Sequence, residues 1–146
     1  MTQWDLRNAT AADREAVKFL LDENDLPAAD IDEHLQCFLV AIDNGIIVGV
    51  VGAEISGTEA LLRSLAVRVP DRGKGLGGIL SNAILSSMKQ MGVKQVALLT
   101  TTAEKFFANH GFITVPKTQI PEFVKASKEY RLYCPSTAVC MIKQLA

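Results

Sequence analysis

The sequence predicts an α/β (α+β) domain, with a mixed central sheet of about six to seven strands flanked by helices. Three observations carry this. Asn44-Gly45 separates two β-rich runs, Cys37 to Ile42 and Ile46 to Ile55. Asn-Gly accepts positive φ at both turn positions, so the pair predicts an antiparallel hairpin. Leu61 to Val69 is apolar on both faces around Arg63 and Ser64, the pattern of a central strand covered on both sides. Leu76, Ile79, Leu80, Ala83, Ile84 and Met88 then recur at helical spacing before a further strand, Gln95 to Thr100. A strand–helix–strand unit of this length predicts a parallel pair with a right-handed crossover.

The remaining elements follow in order. Gln3 to Arg7 alternates weakly and reads as a short strand. Thr10 with Asp13 three residues later forms a capping box before a helix that turns Ala16, Val17, Leu20 and Leu21 to one side. Leu26-Pro27 ends that helix, and a second short one is expected over Ala29 to Gln36. Gly57-Thr58 marks a turn, and Gly92 ends the long helix. Ala103 to His110 reads as a short helix stopped by Gly111, Phe112 to Val115 as a strand, Pro121 to Tyr130 as helical and Thr137 to Gln144 as a last strand.

At 146 residues with no repeat or linker, the chain is expected to form a single domain over 1–146. A chain of about 150 residues buries roughly 70% of its unfolded surface, enough for a real core. Apolar residues make up 49% and charged residues 21%, which excludes a disordered chain. Fifteen basic against sixteen acidic side chains give a net charge of -1, so no general attraction to nucleic acid or an anionic membrane is expected. Three cysteines are too few for a disulfide scaffold. Ile46 to Ala53, the longest apolar run, is far short of the ~20 residues that span a bilayer. No signal peptide is expected, and the expected compartment is a reducing cytoplasm.

One segment carries chemistry. Asp71-Arg72-Gly73-Lys74-Gly75-Leu76-Gly77-Gly78 joins a strand to the first turn of a helix. The first helical N–H groups have no partner within the helix, and the helix dipole adds partial positive charge there. Glycines allow the backbone to approach a phosphate, so the turn suits a pyrophosphate, with Arg72 and Lys74 adding charge beside it. The plainer alternative is a tight turn whose glycines only relieve strain. Gly73-x-Gly75-x-x-Gly78 matches the dinucleotide fingerprint literally, but that motif belongs in the first βα unit and needs an acidic residue about 20 positions on. Here several strands precede it, and the following strand ends Leu98-Leu99-Thr100-Thr101-Thr102. A P-loop fails too, because Gly73-Lys74 is followed by Gly75 rather than Ser or Thr.

The frame Arg72-x-x-Gly75-x-Gly77, with Leu65-Ala66-Val67 before it and Ala103-x-x-Phe106-Phe107-x-x-x-Gly111-Phe112 after it, resembles the GNAT N-acetyltransferase superfamily. Ala60 to Val67, Leu98 to Glu104 and Cys134 to Met141 further resemble its arsenic-resistance N-acetyltransferase branch. The resemblance implies a GNAT fold, splayed between the two parallel central strands, and acetyl-CoA as co-substrate. It implies direct acetyl transfer to a small-molecule amine, an amino acid or a toxic analogue of one, without a metal. Backbone groups of Leu65, Ala66 and Val67 would hold the pantetheine, and the loop residues Arg72, Gly73, Lys74, Gly75, Leu76, Gly77 and Gly78 the pyrophosphate. The N–H of Val67 or a neighbour would stabilise the oxyanion, an effect of roughly 3 kcal/mol in other oxyanion holes. Thr100 stands where many relatives carry Asn, and its hydroxyl can still bond pantetheine. Phe107 stands where the family often places a tyrosine to protonate the leaving thiolate, so Tyr130, Tyr133 or bulk water would take that part. A monomer or homodimer without nucleic-acid or membrane partners is implied. A catalytically silent acyl-CoA-binding module is the alternative.

Glu54 is the one acid within the apolar blocks of the central strands. It is either the general base that takes the amine proton or a glutamate facing solvent at a strand end. Arg63, within an apolar strand, is expected to meet a carboxylate, either Glu54 in a structural pair or the acid group of a bound substrate. Cys134 and Cys140 read either as small packing residues or, through the family branch, as ligands for trivalent arsenic. His34 and His110 are isolated in sequence.

Overall fold

In the computed structural model, residues 4–133 and 135–145 are described. Seven strands form one mixed sheet in the order β1-β2-β3-β4-β5-β7-β6. They are β1 Asp5–Asn8, β2 Phe38–Asp43, β3 Ile46–Ser56, β4 Glu59–Val67, β5 Gln95–Thr100, β6 Ile113–Val115 and β7 Val139–Gln144. The helices are α1 Arg14–Glu23, α2 Leu76–Gln90, α3 Glu104–Ala108 and α4 Glu122–Lys125. The chain divides into two compact units, Met1–Glu54 with Arg63–Ser87, and Ile55–Leu62 with Met88–Ala146.

In the first unit β1 pairs antiparallel with β2, and β2 with β3. Asn44 (φ 52) and Gly45 (φ 78) take the positive angles that the β2–β3 hairpin requires. Alternation along β3 sends residues two apart to the same face. Val50 joins Phe38, Val40 and Ala66 in a core closed by Val17, Leu20 and Leu21 of α1. Gly49, of opposite parity, lies under α2: a Cβ there would stand 2.9 Å from both Leu76 Cδ2 and Leu80 Cδ1. Gly52 pairs with Phe38 and leaves room for its ring, which an added Cβ would approach to 2.2 Å. Two glycines in one apolar strand thus set how closely a helix and an aromatic ring approach it.

The start of α1 follows the expected signal. The Thr10 N–H donates to Asp13 Oδ2 at 2.7 Å, and Arg7 adds two further bonds to the same carboxylate. The helix expected over Ala29 to Gln36 is instead two 3₁₀ turns, Ile31–Glu33 and Leu35–Cys37. Asp30 (φ -105) and His34 (φ -127) leave the helical region at the two points where their side chains turn toward Glu54 and Arg63. The strand expected to reach Val69 stops at Val67, because Val69–Asp71 with Pro70 forms a 3₁₀ turn.

In the second unit β4 and β5 run parallel, paired from Glu59–Gln95 to Leu61–Ala97. β7 runs antiparallel to both β5 and β6. Leu61, Ala97, Ile120, Val124 and Cys140 form its core. The helix expected from Pro121 to Tyr130 is cut to α4 and a π-helical turn, Glu129–Tyr133. Ser127 lies between them: its hydroxyl donates to the Val124 carbonyl at 2.6 Å and accepts from the Tyr130 N–H at 3.2 Å. A serine hydroxyl that bonds nearby backbone in this way competes with helix continuation.

Candidate active site

The glycine-rich turn leaves β4 through the 3₁₀ turn, which is fixed by Asp71. Its buried carboxylate accepts from Arg68 Nε at 2.7 Å. Gly73 (φ 78) and Gly75 (φ 88) then adopt left-handed angles, and nothing lies within 4 Å of where either Cβ would stand. The Ile79 N–H donates to the Gly75 carbonyl at 3.2 Å, the bond that opens α2. The N–H groups of Leu76, Gly77 and Gly78 therefore precede the first intrahelical bond. Helix-start amides beside open space above two glycines suit an anion.

Arg72 does not extend freely beside this turn. Its Nε donates to the Val67 carbonyl at 3.1 Å and its Nη2 to Asn24 Oδ1 at 2.6 Å. Asn24 Nδ2 in turn donates to the Leu20 carbonyl at 2.8 Å, at the end of α1. Arg72 thus ties the end of β4 to the end of α1. Lys74 is exposed. Within β4, Leu65 and Val67 are half-buried and Ala66 is buried. Ser64 takes a positive φ of 62 although it is not glycine, a strained point directly before this stretch.

The second feature is a buried charge cluster. Arg63 has no exposed side-chain surface. Its Nη1 and Nη2 each donate to one Asp30 oxygen at 2.7 Å, and Nη1 also donates to Glu54 Oε2 at 2.9 Å. Its Nε donates to Ser64 Oγ at 3.1 Å. Burial works against the charge on Asp30, but the Arg63 hydrogen bonds and charge, with His34 nearby, hold its carboxyl below the usual range. Glu54 shares the β3 parity of Val50 and Gly52, and its side chain is 14% exposed. Its Oε1 lies 3.6 Å from His34 Nε2, which is also 3.8 Å from Asp30 Oδ2. Asp30, His34 and Glu54 each offer a ligand atom within 4.8 Å of the others, but Arg63 already occupies both Asp30 oxygens and Glu54 Oε2.

In the second unit, Thr100 Oγ1 accepts from the Ala103 N–H at 3.0 Å in the turn that leads into α3. Phe107 is buried, edge-on to Phe106 at 4.9 Å and to Phe112 at 5.6 Å. Tyr130 packs against the core that contains Cys140. The Tyr133 side chain and Cys134 lie outside the described residues. Sequence reasoning did not single out Asp30, His34 or Asn24. Only the buried arginine signalled that an unseen acid was needed.

A strand, a glycine turn and a helix start, followed by a parallel strand, form a βαβ unit whose turn is suited to a phosphate-bearing ligand. Residues 34–114, more than half of the chain, match the acetyltransferase (GNAT) domain family, and the chain belongs to that family. It is a GNAT N-acetyltransferase domain, and acetyl-CoA is the donor. An uncharacterised N-acetyltransferase of Chlorobaculum tepidum is 28% identical, with 96% of each chain covered. The fold is shared with N-acetylglutamate synthase of Neisseria gonorrhoeae, solved with coenzyme A and N-acetyl-glutamate (TM-score 0.86, 20% identity, 100% of this chain). This chain spans about a third of that synthase, 36% of its length. It is shared also with Rv2747 of Mycobacterium tuberculosis, solved with coenzyme A (TM-score 0.82, 22% identity, 97% of this chain and 99% of that one). No helix among the described residues is long and apolar enough to cross a membrane.

Proposed function

We propose that this chain moves the acetyl group of acetyl-CoA to the amine of a small amino acid or amino-acid analogue by direct attack. The observation that carries the reading is the turn at Gly73 and Gly75, left-handed and open at the start of α2. The pyrophosphate sits on the amides from Gly73 to Gly78, and the pantetheine follows the backbone of Leu65, Ala66 and Val67. The amine nitrogen attacks the thioester carbon, the Val67 N–H supports the oxyanion, and the C–S bond breaks to release the CoA thiolate. Glu54 receives the proton that the amine loses. Arg63 acts as a positioning residue that aims Glu54, since its guanidinium is enclosed by Asp30 and Glu54. A substrate acid could reach it only by displacing one of them. The resemblance adds Thr100 and Phe107 as donor contacts, and the thiolate takes its proton from water.

An amino-acid acceptor is supported by the shared fold of a synthase solved with N-acetyl-glutamate. The arsenic-resistance branch rests on the three sequence stretches alone, so a toxic amino-acid analogue is one candidate within this class. The chain works in the cytoplasm as a monomer or homodimer. The second reading, a silent acyl-CoA-binding module, draws on Phe107, which offers no hydroxyl at the family's acid position. A panel of amines that includes L-glutamate, other amino acids and an arsenic-bearing analogue, followed by release of free CoA thiol, separates the two. Thiol release with at least one amino acid supports acetyl transfer. Tight CoA binding with no release from any amine establishes the silent module.

A further inference from the structure

We propose that His34 is a proton-relay residue that empties Glu54 after each acetyl transfer. The inference rests on the reading of Glu54 as the base, and deepens it. A part-buried base must pass its proton on before the next turnover. Glu54 Oε2 is held by Arg63 at 2.9 Å, which leaves Oε1 as the oxygen able to take and release a proton. The imidazole Nε2 faces that oxygen at 3.6 Å. Catalytic hydrogen bonds are often longer before substrate binds and tighten in the reacting complex. His34 is 25% exposed against 14% for Glu54, so it provides the step between Glu54 and solvent.

Charge balance supports the same assignment. Asp30 and Glu54 together carry one more negative charge than Arg63 neutralises, so the cluster accommodates one further positive charge. The imidazole faces the carboxylates of Asp30 at 3.8 Å and Glu54 at 3.6 Å, and Arg63 stands behind both. α1 packs on the same 3₁₀ turn and contributes Arg14, paired with Asp32 at 2.7 Å. The sequence of transfers balances. The amine proton passes to Glu54 Oε1, then to His34 Nε2 in the tautomer that carries its proton on Nδ1. The imidazolium releases one proton to water and the carboxylate is restored.

The test uses the full chain and the fastest amine of the panel. His34→Gln should lower kcat by about 10²-fold, leave the KM for acetyl-CoA within about twofold, displace the ascending limb of the pH–rate profile, and regain activity on addition of free imidazole. An unchanged pH profile, or a loss that imidazole does not restore, overturns the proposal. The chain has only two histidines, which gives a second measurement should His34→Gln fail to fold. Carbethoxylation of a His110→Asn chain should abolish turnover, and retained turnover after complete modification overturns the relay. A wild-type chain that acetylates no amine overturns the underlying reading of the site. A wild-type chain that turns over beside a His34→Gln chain with the same profile overturns the relay alone.

Discussion

Arg63 holds both oxygens of Asp30 at 2.7 Å in a fork-to-fork pair, and neither side chain is more than 2% exposed. Bidentate geometry of this kind is strong and directional. It joins the segment before the Ile31–Glu33 turn to β4 and fixes the guanidinium that Glu54 leans on.

Removal of one partner strands the other charge without water. Arg63→Ala and Asp30→Ala are each expected to cost about 3–5 kcal/mol of stability by denaturant titration. Glu54→Gln leaves the bidentate pair intact and should cost much less, while turnover falls by about 10²–10⁴-fold at nearly unchanged acetyl-CoA affinity. Equal destabilisation by Glu54→Gln and Asp30→Ala would reduce Glu54 to a structural partner.

Gly49 fixes how closely α2 approaches β3. Gly49→Ala puts a methyl group 2.9 Å from two leucine side chains, so both of them must shift. Overpacking of this kind costs about 1–3 kcal/mol. Because Leu76 opens α2, the variant should also weaken CoA binding. A chain of unchanged melting temperature and CoA affinity would show that the two leucines yield freely.

Acid should loosen the start of α1. The Arg7 hydrogen bonds, opposed by burial and aided by the Thr10 N–H, hold Asp13 at about 2. A carboxyl lowered on folding stabilises the native state above its unfolded value and loses that contribution as pH falls through the folded one. The melting temperature of the wild type should therefore drop from about pH 4 toward pH 2 more steeply than that of Asp13→Asn. Parallel curves would remove Asp13 as a source of acid sensitivity.

Much of this architecture is legible in the chain. Asn44-Gly45, the two-sided apolar run around Arg63, and the period of α2 are local signals, and the elements they announce occur, with the central strand ending at Val67 instead of Val69. The 3₁₀ turns over residues 31–37 were not legible, because they form where Asp30 and His34 are drawn to residues 20 or more positions away in sequence. The same reason hid the charge cluster. Arg63 announced the need for an acid, but Asp30 as its main partner depends on packing. Arg72 illustrates the converse: its position in the motif suggested a phosphate ligand, whereas its hydrogen bonds go to Val67 and Asn24.

The central claim is that the open turn at Gly73 and Gly75 holds the acetyl donor, and one binding measurement tests it directly. Calorimetric titration of acetyl-CoA into the wild type and Gly75→Val compares the two chains. Gly57→Val serves as a control, since Gly57 (φ 61) is another left-handed glycine with open space above it but lies away from the loop. Valine at either position strains the backbone by about 1–2 kcal/mol, but only at residue 75 does it stand where a phosphate must approach. The account predicts at least a tenfold loss of affinity, about 1.4 kcal/mol, in folded Gly75→Val, and wild-type affinity in Gly57→Val. Wild-type affinity in folded Gly75→Val would contradict it.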